Sequence, residues 1–202
     1  MKNYSSIFIF LTSLVMFFSC SNTDELLIEN DNSELRNYLP TTNASIQGTY
    51  HIQVVGGISN DRCLLSAKQD GSGVVLWYKD EIWGREKWQI SPYYFNNIFI
   101  GYIIKVYGGV NSEKKFLSVT TDGKRVGLYD RIEGPDSFRQ IWKINGLPWA
   151  APTMNYCIIE TAGNLSSSRK YLSATKNGES ICTWYSDDEA GRERWYLKLV
   201  GY

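Results

Sequence analysis

Three short stretches repeat one chemical pattern: Gly84-Arg85-Glu86-Lys87-Trp88, Phe138-Arg139-Gln140-Ile141-Trp142 and Gly191-Arg192-Glu193-Arg194-Trp195. In each, an arginine is followed by an acid or amide, any residue, and then tryptophan. A guanidinium only donates hydrogen bonds, from a rigid fork suited to carboxylate, sulfate or phosphate oxygens. Two further tryptophans, Trp83 and Trp149, stand in loops, where an exposed indole suits a sugar face or a protein contact. This is binding chemistry. The chain has a single histidine, His51, the residue type most used as base or metal ligand near neutral pH. It lies in a strand-like run, which gives it a structural role. No phosphate-binding loop, nucleophile elbow or zinc-helix motif occurs, and no set of nucleophile, base and orienting group is visible. The sequence therefore predicts no enzyme, no cofactor and no metal centre.

Ser186–Glu193 packs four carboxylates into one loop, but without the ligand spacing of a calcium loop, and reads as a solvated acidic loop. Cys63, Cys157 and Cys182 are an odd number with no Cys-x-x-Cys spacing, and fit small buried hydrophobes. Charges balance at 21 against 21, which gives no field to recruit nucleic acid or an acidic membrane face.

The elements that must position these residues recur with them. Each copy opens on an alternating strand (Tyr50, Tyr102 and Tyr156 begin them) and turns through glycine. A second strand follows, "RCLLSA", "KKFLSV" or "RKYLSA". The chain turns again at Gly71, Gly123 or Gly178, and a third strand precedes a polar loop and the tryptophan strand. Leu65, Leu117 and Leu172 lie 52 and 55 residues apart, and Trp88, Trp142 and Trp195 lie 54 and 53 apart. Three copies of four short strands predict an all-β domain of twelve strands in three pseudo-equivalent repeats. No copy can bury its apolar face alone, so the three must close on one another. The expected bounds are 48–202 for the domain, with repeats at about 49–97, 98–150 and 151–202. The three tryptophans are expected to fill one dry interior.

These copies, each ending near Gln-x-Trp (literal only at Gln140-Ile141-Trp142), resemble the ricin-type β-trefoil lectins, over about three quarters of the chain. The form with "GR(E/Q)xW" resembles more closely still the ricin-like domains of Bacteroidetes surface proteins. The resemblance implies a β-trefoil and carbohydrate binding. It places an aromatic platform one residue after the core residue of the third strand, here Tyr78, Tyr129 and Tyr185. The family's Asp after the apolar pair is replaced by Ser66, Ser118 and Ser173, and its Asn before the Gln by Arg85, Arg139 and Arg192. Serine does not accept as a carboxylate does, so the family's galactose clamp is gone, and an acidic or sulfated glycan fits arginine plus tyrosine better. Candidate ligand-contacting residues are then Tyr78, Trp83 and Arg85 in copy one, Tyr129 and Arg139 in copy two, and Tyr185, Asp187 and Arg192 in copy three. A competing reading has the arginines pinned inward by Asp80, Asp130 and Asp187. Trefoils also serve as protein-binding modules, for which the longer loop 131–138 of copy two, with Pro135, is the candidate.

The N-terminus reads as a targeting segment. An apolar run at 7–18 is too short to span a bilayer comfortably and ends in Ser19-Cys20, which resembles a bacterial lipoprotein cleavage site. The expectation is a signal peptide over 1–19, lipid on Cys20, an acidic tether over 20–47 and residence at the outer membrane. Asp24 and Glu25 resemble the surface-export signals of Bacteroidetes lipoproteins.

Overall fold

A computed structural model of the chain describes residues 46–146, 156–163 and 165–200. Cys20, the signal segment, most of the tether and Trp149 lie outside the described residues.

Twelve strands are described: β1 (Gly48–Val54), β2 (Leu64–Ala67), β3 (Val74–Trp77), β4 (Lys87–Phe95), β5 (Ile98–Val106), β6 (Phe116–Val119), β7 (Val126–Tyr129), β8 (Ile141–Asn145), β9 (Cys157–Thr161), β10 (Tyr171–Ala174), β11 (Ile181–Trp184) and β12 (Arg194–Leu199). Six of them close a barrel in the order β1-β4-β5-β8-β9-β12 and back to β1, every pair antiparallel. The other six form three hairpins, β2–β3, β6–β7 and β10–β11. Each hairpin joins the barrel through one residue pair: Gln53 with Leu64, Lys105 with Phe116, and Glu160 with Tyr171. This is the threefold β-trefoil arrangement the repeats predict. Closure removes the free edges that short strands would otherwise present.

Trp88, Trp142 and Trp195 are completely buried, and so are Leu65, Leu117 and Leu172, all in one core. Each indole N–H donates to the carbonyl of its own copy's leucine, at 2.8 Å (Leu65), 3.0 Å (Leu117) and 2.9 Å (Leu172). The repeated tryptophan thus does two jobs. It fills the centre with apolar area, and its polar edge ties a barrel strand to the hairpin that caps it. Gly71, Gly123 and Gly178 all adopt left-handed φ, near 70°, at the hairpin turns. Cys63, Cys157 and Cys182 are free thiols. Burial pushes the Cys157 thiol up to about 12.

One element exceeds its expected length. β4 and β5 run on past the barrel as a two-stranded ribbon around Asn96-Asn97, whose φ values of 50° and 62° make the two-residue turn that matches strand twist.

Candidate functional site

The acid or amide before each tryptophan explains why the loop between the third and fourth strands of a copy keeps its shape. Glu86, Gln140 and Glu193 are all fully buried. Glu86 accepts from Ser66 Oγ at 2.8 Å and from the Glu81 N–H at 3.1 Å, so it latches the loop to β2. Gln140 accepts from the Ile132 N–H at 2.9 Å and donates to the Asp130 carbonyl at 2.6 Å. Glu193 accepts from Ser173 Oγ at 2.6 Å, while its Oε2 has no partner. Of the three buried serines that replace the family's Asp, Ser66 and Ser173 are therefore parts of this latch, whereas Ser118 Oγ turns to the Val119 carbonyl.

The arginines fold onto loop acids, but not the ones expected. Arg85 pairs with Glu81, Arg192 with Asp188, and Arg139 lies 3.7 Å from Asp136. Asp80 instead meets His51 and Lys87, each at 3.3 Å, Asp187 meets Arg194 at 2.7 Å, and Asp130 contributes its carbonyl. The reason is spacing: the residue four before the arginine lies across the turn from it, and in copies one and three that residue is Glu81 or Asp188. The Arg85 guanidinium, with help from the Trp77 indole, holds the Glu81 carboxyl below its usual range. A glycine of the adjacent copy backs each arginine. A Cβ on Gly109 would stand 2.7 Å from Arg85 Cγ, one on Gly57 2.6 Å from Arg192 Cγ, and one on Gly163 3.1 Å from the Arg139 backbone nitrogen.

The strand register corrects the expected platform. Leu64 pairs with Trp77, Phe116 with Tyr129 and Tyr171 with Trp184. Tyr129 is thus equivalent to Trp77 and Trp184, not to Tyr78 and Tyr185. The core residues one position earlier are Leu76, Leu128 and Thr183, all buried. Sequence reading took the tryptophans for core because a buried threonine hid the alternation in copy three. Tyr78 and Tyr185 are exposed and sit edge-on to Trp77 and Trp184, with centroids 5.6 and 5.5 Å apart. Their faces are already partly covered. Arg62 stands 5.1 Å from the Tyr78 centroid, and Arg169 stands 4.8 Å from Tyr185 and 4.9 Å from Trp184. Sequence reading missed Arg62 and Arg169, although a basic residue opens the second strand of every copy.

The three sites are not alike. In copy one, two concave surfaces meet at Arg85 and Gln69. One, of about 460 Å³, is lined by Arg62, Lys68, Trp77 and Glu179 among others. The other, of about 380 Å³, is lined by Glu81, Trp83, Val110 and Asn111. Trp83 is 66% exposed and its neighbour Ile82 86%. In copy three the same positions are Glu189 and Ala190, so the aromatic wall is missing. Asp187, Asp188 and Glu193 there bring ligand atoms within 4.8 Å of one another. The loop is exposed at Ser186, Asp188, Glu189 and Ala190, as expected, and Arg194 and Arg192 bind its two aspartates, supplying the positive charge a cation would bring. In copy two a 3-10 helix over Pro135–Gln140 fills the equivalent space, and Arg139 turns inward to the Val119 carbonyl at 3.3 Å.

No protein-family model matches the chain, and no curated protein matches it. Solved structures do. A mosquitocidal holotoxin is 16% identical with a TM-score of 0.55, over 77% of this chain and 18% of its own. The Polyporus squamosus lectin bound to the human-type influenza-binding epitope Neu5Acα2-6Galβ1-4GlcNAc is 12% identical with a TM-score of 0.52, over 75% of this chain and 48% of its own. The designed threefold-symmetric protein ThreeFoil is 16% identical with a TM-score of 0.52, over 76% of this chain and 99% of its own. This chain therefore spans less than half the length of the two natural proteins. At such identities the likeness concerns the fold, and the chain is an all-β protein with the β-trefoil fold that lectins and toxins share.

Proposed function

We propose that this protein is a non-catalytic, lectin-like module that binds an acidic or sulfated glycan, held at the outer membrane by lipid on Cys20. The observation that carries the glycan reading is the double concavity of copy one. Its wall offers the aromatic faces of Trp77 and Trp83, and Arg62, Lys68 and Arg85 outnumber Glu179 around the larger surface. Sugars stack on such rings, and anionic groups on them meet forked donors. The lectin neighbour, whose bound epitope carries an acidic sugar, lends the reading support at the level of fold. Trp83 and Arg85 of the expected set line this site, and Tyr78 adjoins it under the Arg62 guanidinium. Tyr129, Arg139, Tyr185, Asp187 and Arg192 hold loop geometry in this reading.

Affinity electrophoresis through gels containing sulfated or uronic-acid polysaccharides tests it. Trp83→Ala is expected to weaken retardation about tenfold or more with unchanged Tm, as truncating a central aromatic anchor does, and Trp77→Ala to weaken it with some loss of Tm, because its indole also donates to Glu81. Retardation equal to wild type, or no glycan retarding the wild type, overturns the proposal. A protein partner is the second reading, favoured by the exposure of Ile82 beside Trp83. It predicts a stable complex recovered from host or envelope extracts and lost with Trp83→Ala, without glycan binding.

A further inference from the structure

We propose that the β4–β5 ribbon docks on a lipid bilayer, with Tyr94, Phe95, Ile98 and Phe99 seated at the boundary between headgroups and acyl chains. Past Ile90, the last β4 residue paired with β1, and before Tyr102, the first β5 residue paired with β8, the two strands pair only with each other among the described residues. Tyr94 is 53% exposed, Phe95 51%, Ile98 64% and Phe99 42%. Register places Tyr94 opposite Phe99 and Phe95 opposite Ile98. Successive residues of a strand point to opposite faces, so both faces of the ribbon are apolar. A ribbon meant for water keeps one face polar and guards its edges with charge. Here no charged residue occurs between Lys87 and Lys105.

The internal contacts cover only part of this surface. Tyr94 and Phe99 meet edge-on at 5.8 Å, and Phe95 leans on Phe138 at 6.5 Å. Aromatic and aliphatic side chains around an uncharged polar tip, here Asn96-Asn97, suit the membrane interface, where rings sit at headgroup level. The open strand edges limit insertion to a shallow depth, because backbone groups without partners are not tolerated in the hydrocarbon core.

The place where the described residues begin selects a membrane over other apolar partners. Ile46 is buried, and its N–H donates to the Tyr102 hydroxyl at 3.4 Å; the Tyr102 ring lies 5.1 Å from that of Phe99. The described residues therefore begin at the foot of the ribbon. This step rests on the lipid attachment proposed for Cys20. Lipid and ribbon would then hold the domain from one end, while the Arg85 loop stands at the other end of β4.

The lipidated full chain, reconstituted in phosphatidylcholine vesicles carrying a photoreactive acyl chain, tests the proposal. After irradiation and trypsin, lipid adducts are expected on the 88–105 peptide and not on peptides of the β6–β7 or β10–β11 hairpins. The yield is expected to hold in about 1 M salt, since no ion pair drives the contact. Phe95→Ser with Phe99→Ser is expected to cut the adduct at least about tenfold. Adducts absent from 88–105 while the protein floats with the vesicles overturn the docking and leave the anchor intact. A Cys20 peptide without diacylglyceryl mass overturns the anchor, and adducts on 88–105 in that case still support the ribbon. Crosslinks between the 88–105 peptides of two chains, without lipid adducts, assign the ribbon to a second copy and overturn the proposal.

Discussion

Glu86, Gln140 and Glu193 hold one position in three copies, yet only the first two satisfy both ends of their side chains. Glu193 has a buried Oε2 without a partner and Asp188 beside it. Burial raises its carboxyl above the ordinary 4.5, while the Arg192 guanidinium lowers Asp188 below 3.8. An acid raised on folding contributes stability below its unfolded value and loses it as pH rises through the folded one. Asp188 works in the other direction, losing its contribution as pH falls below 3.8. Glu193→Gln installs the amide that copy two already uses and can donate to Asp188. It is expected to be more stable than wild type by on the order of 1 kcal/mol at pH about 7, with a flatter decline as pH rises above the ordinary 4.5. Urea midpoints at several pH values check this, and a destabilised variant contradicts it. Cys157 offers a simpler test. Its thiol is buried and pushed to about 12, so it should stay silent to thiol reagents at pH about 8 until the protein unfolds.

The tryptophan strand and the glycine loop that backs it carry the next level of order. Trp→Phe at Trp88, Trp142 or Trp195 removes an indole donor and leaves a buried leucine carbonyl unpaired. Each should cost about 1–3 kcal/mol from that loss, with lost packing added, and the three losses should match within error if the copies are mechanically equivalent. Gly109 is more demanding. It has φ 71°, and a Cβ would stand 2.6 Å from the Trp83 carbonyl. Gly134 has φ 72° but nothing within 4 Å. Gly109→Ala should therefore lower Tm clearly more than Gly134→Ala, and it should weaken glycan retardation because the Trp83–Arg85 loop moves. Equal Tm losses would mean that backbone strain alone matters at both sites.

At the scale of the molecule the copies interlock in a ring. The Gly71 turn of copy one packs on Val110 and Ser112 of copy two, the Gly123 turn on Ser167 and Thr183 of copy three, and the Gly178 turn on Leu76 and Arg62 of copy one. The Arg85, Arg139 and Arg192 loops form a second ring, each against a glycine of the adjacent copy. Symmetry holds in the frame and breaks at the surface, where only copy one has tryptophan in the loop between its third and fourth strands. Calorimetric titration with an acidic oligosaccharide is expected to give one site per chain, abolished by Trp83→Ala. Three equal sites would return Tyr129 and Tyr185 to the binding role first expected of them.

The period of leucine and tryptophan was enough, from sequence alone, to give twelve strands, threefold closure and the three buried indoles. Burial of large apolar side chains at a fixed spacing leaves a chain of this size few other solutions. The turn glycines were legible for the same kind of reason, since left-handed φ selects residue type locally. What the arginines touch was not legible. Their partners are chosen by loop geometry and by a glycine in another copy, 24 residues on for Arg85 and Arg139 and 135 residues back for Arg192, and adjacent acids such as Asp80 and Glu81 look interchangeable until the backbone turns. In copies one and three the residue equivalent to Tyr129 proved to be Trp77 and Trp184, one position before Tyr78 and Tyr185, because strand register and not the nearest tyrosine decides which positions correspond. The ribbon went unread although Asn96-Asn97 signals its turn, because an apolar run reads equally as buried core until the register shows that no strand among the described residues covers it.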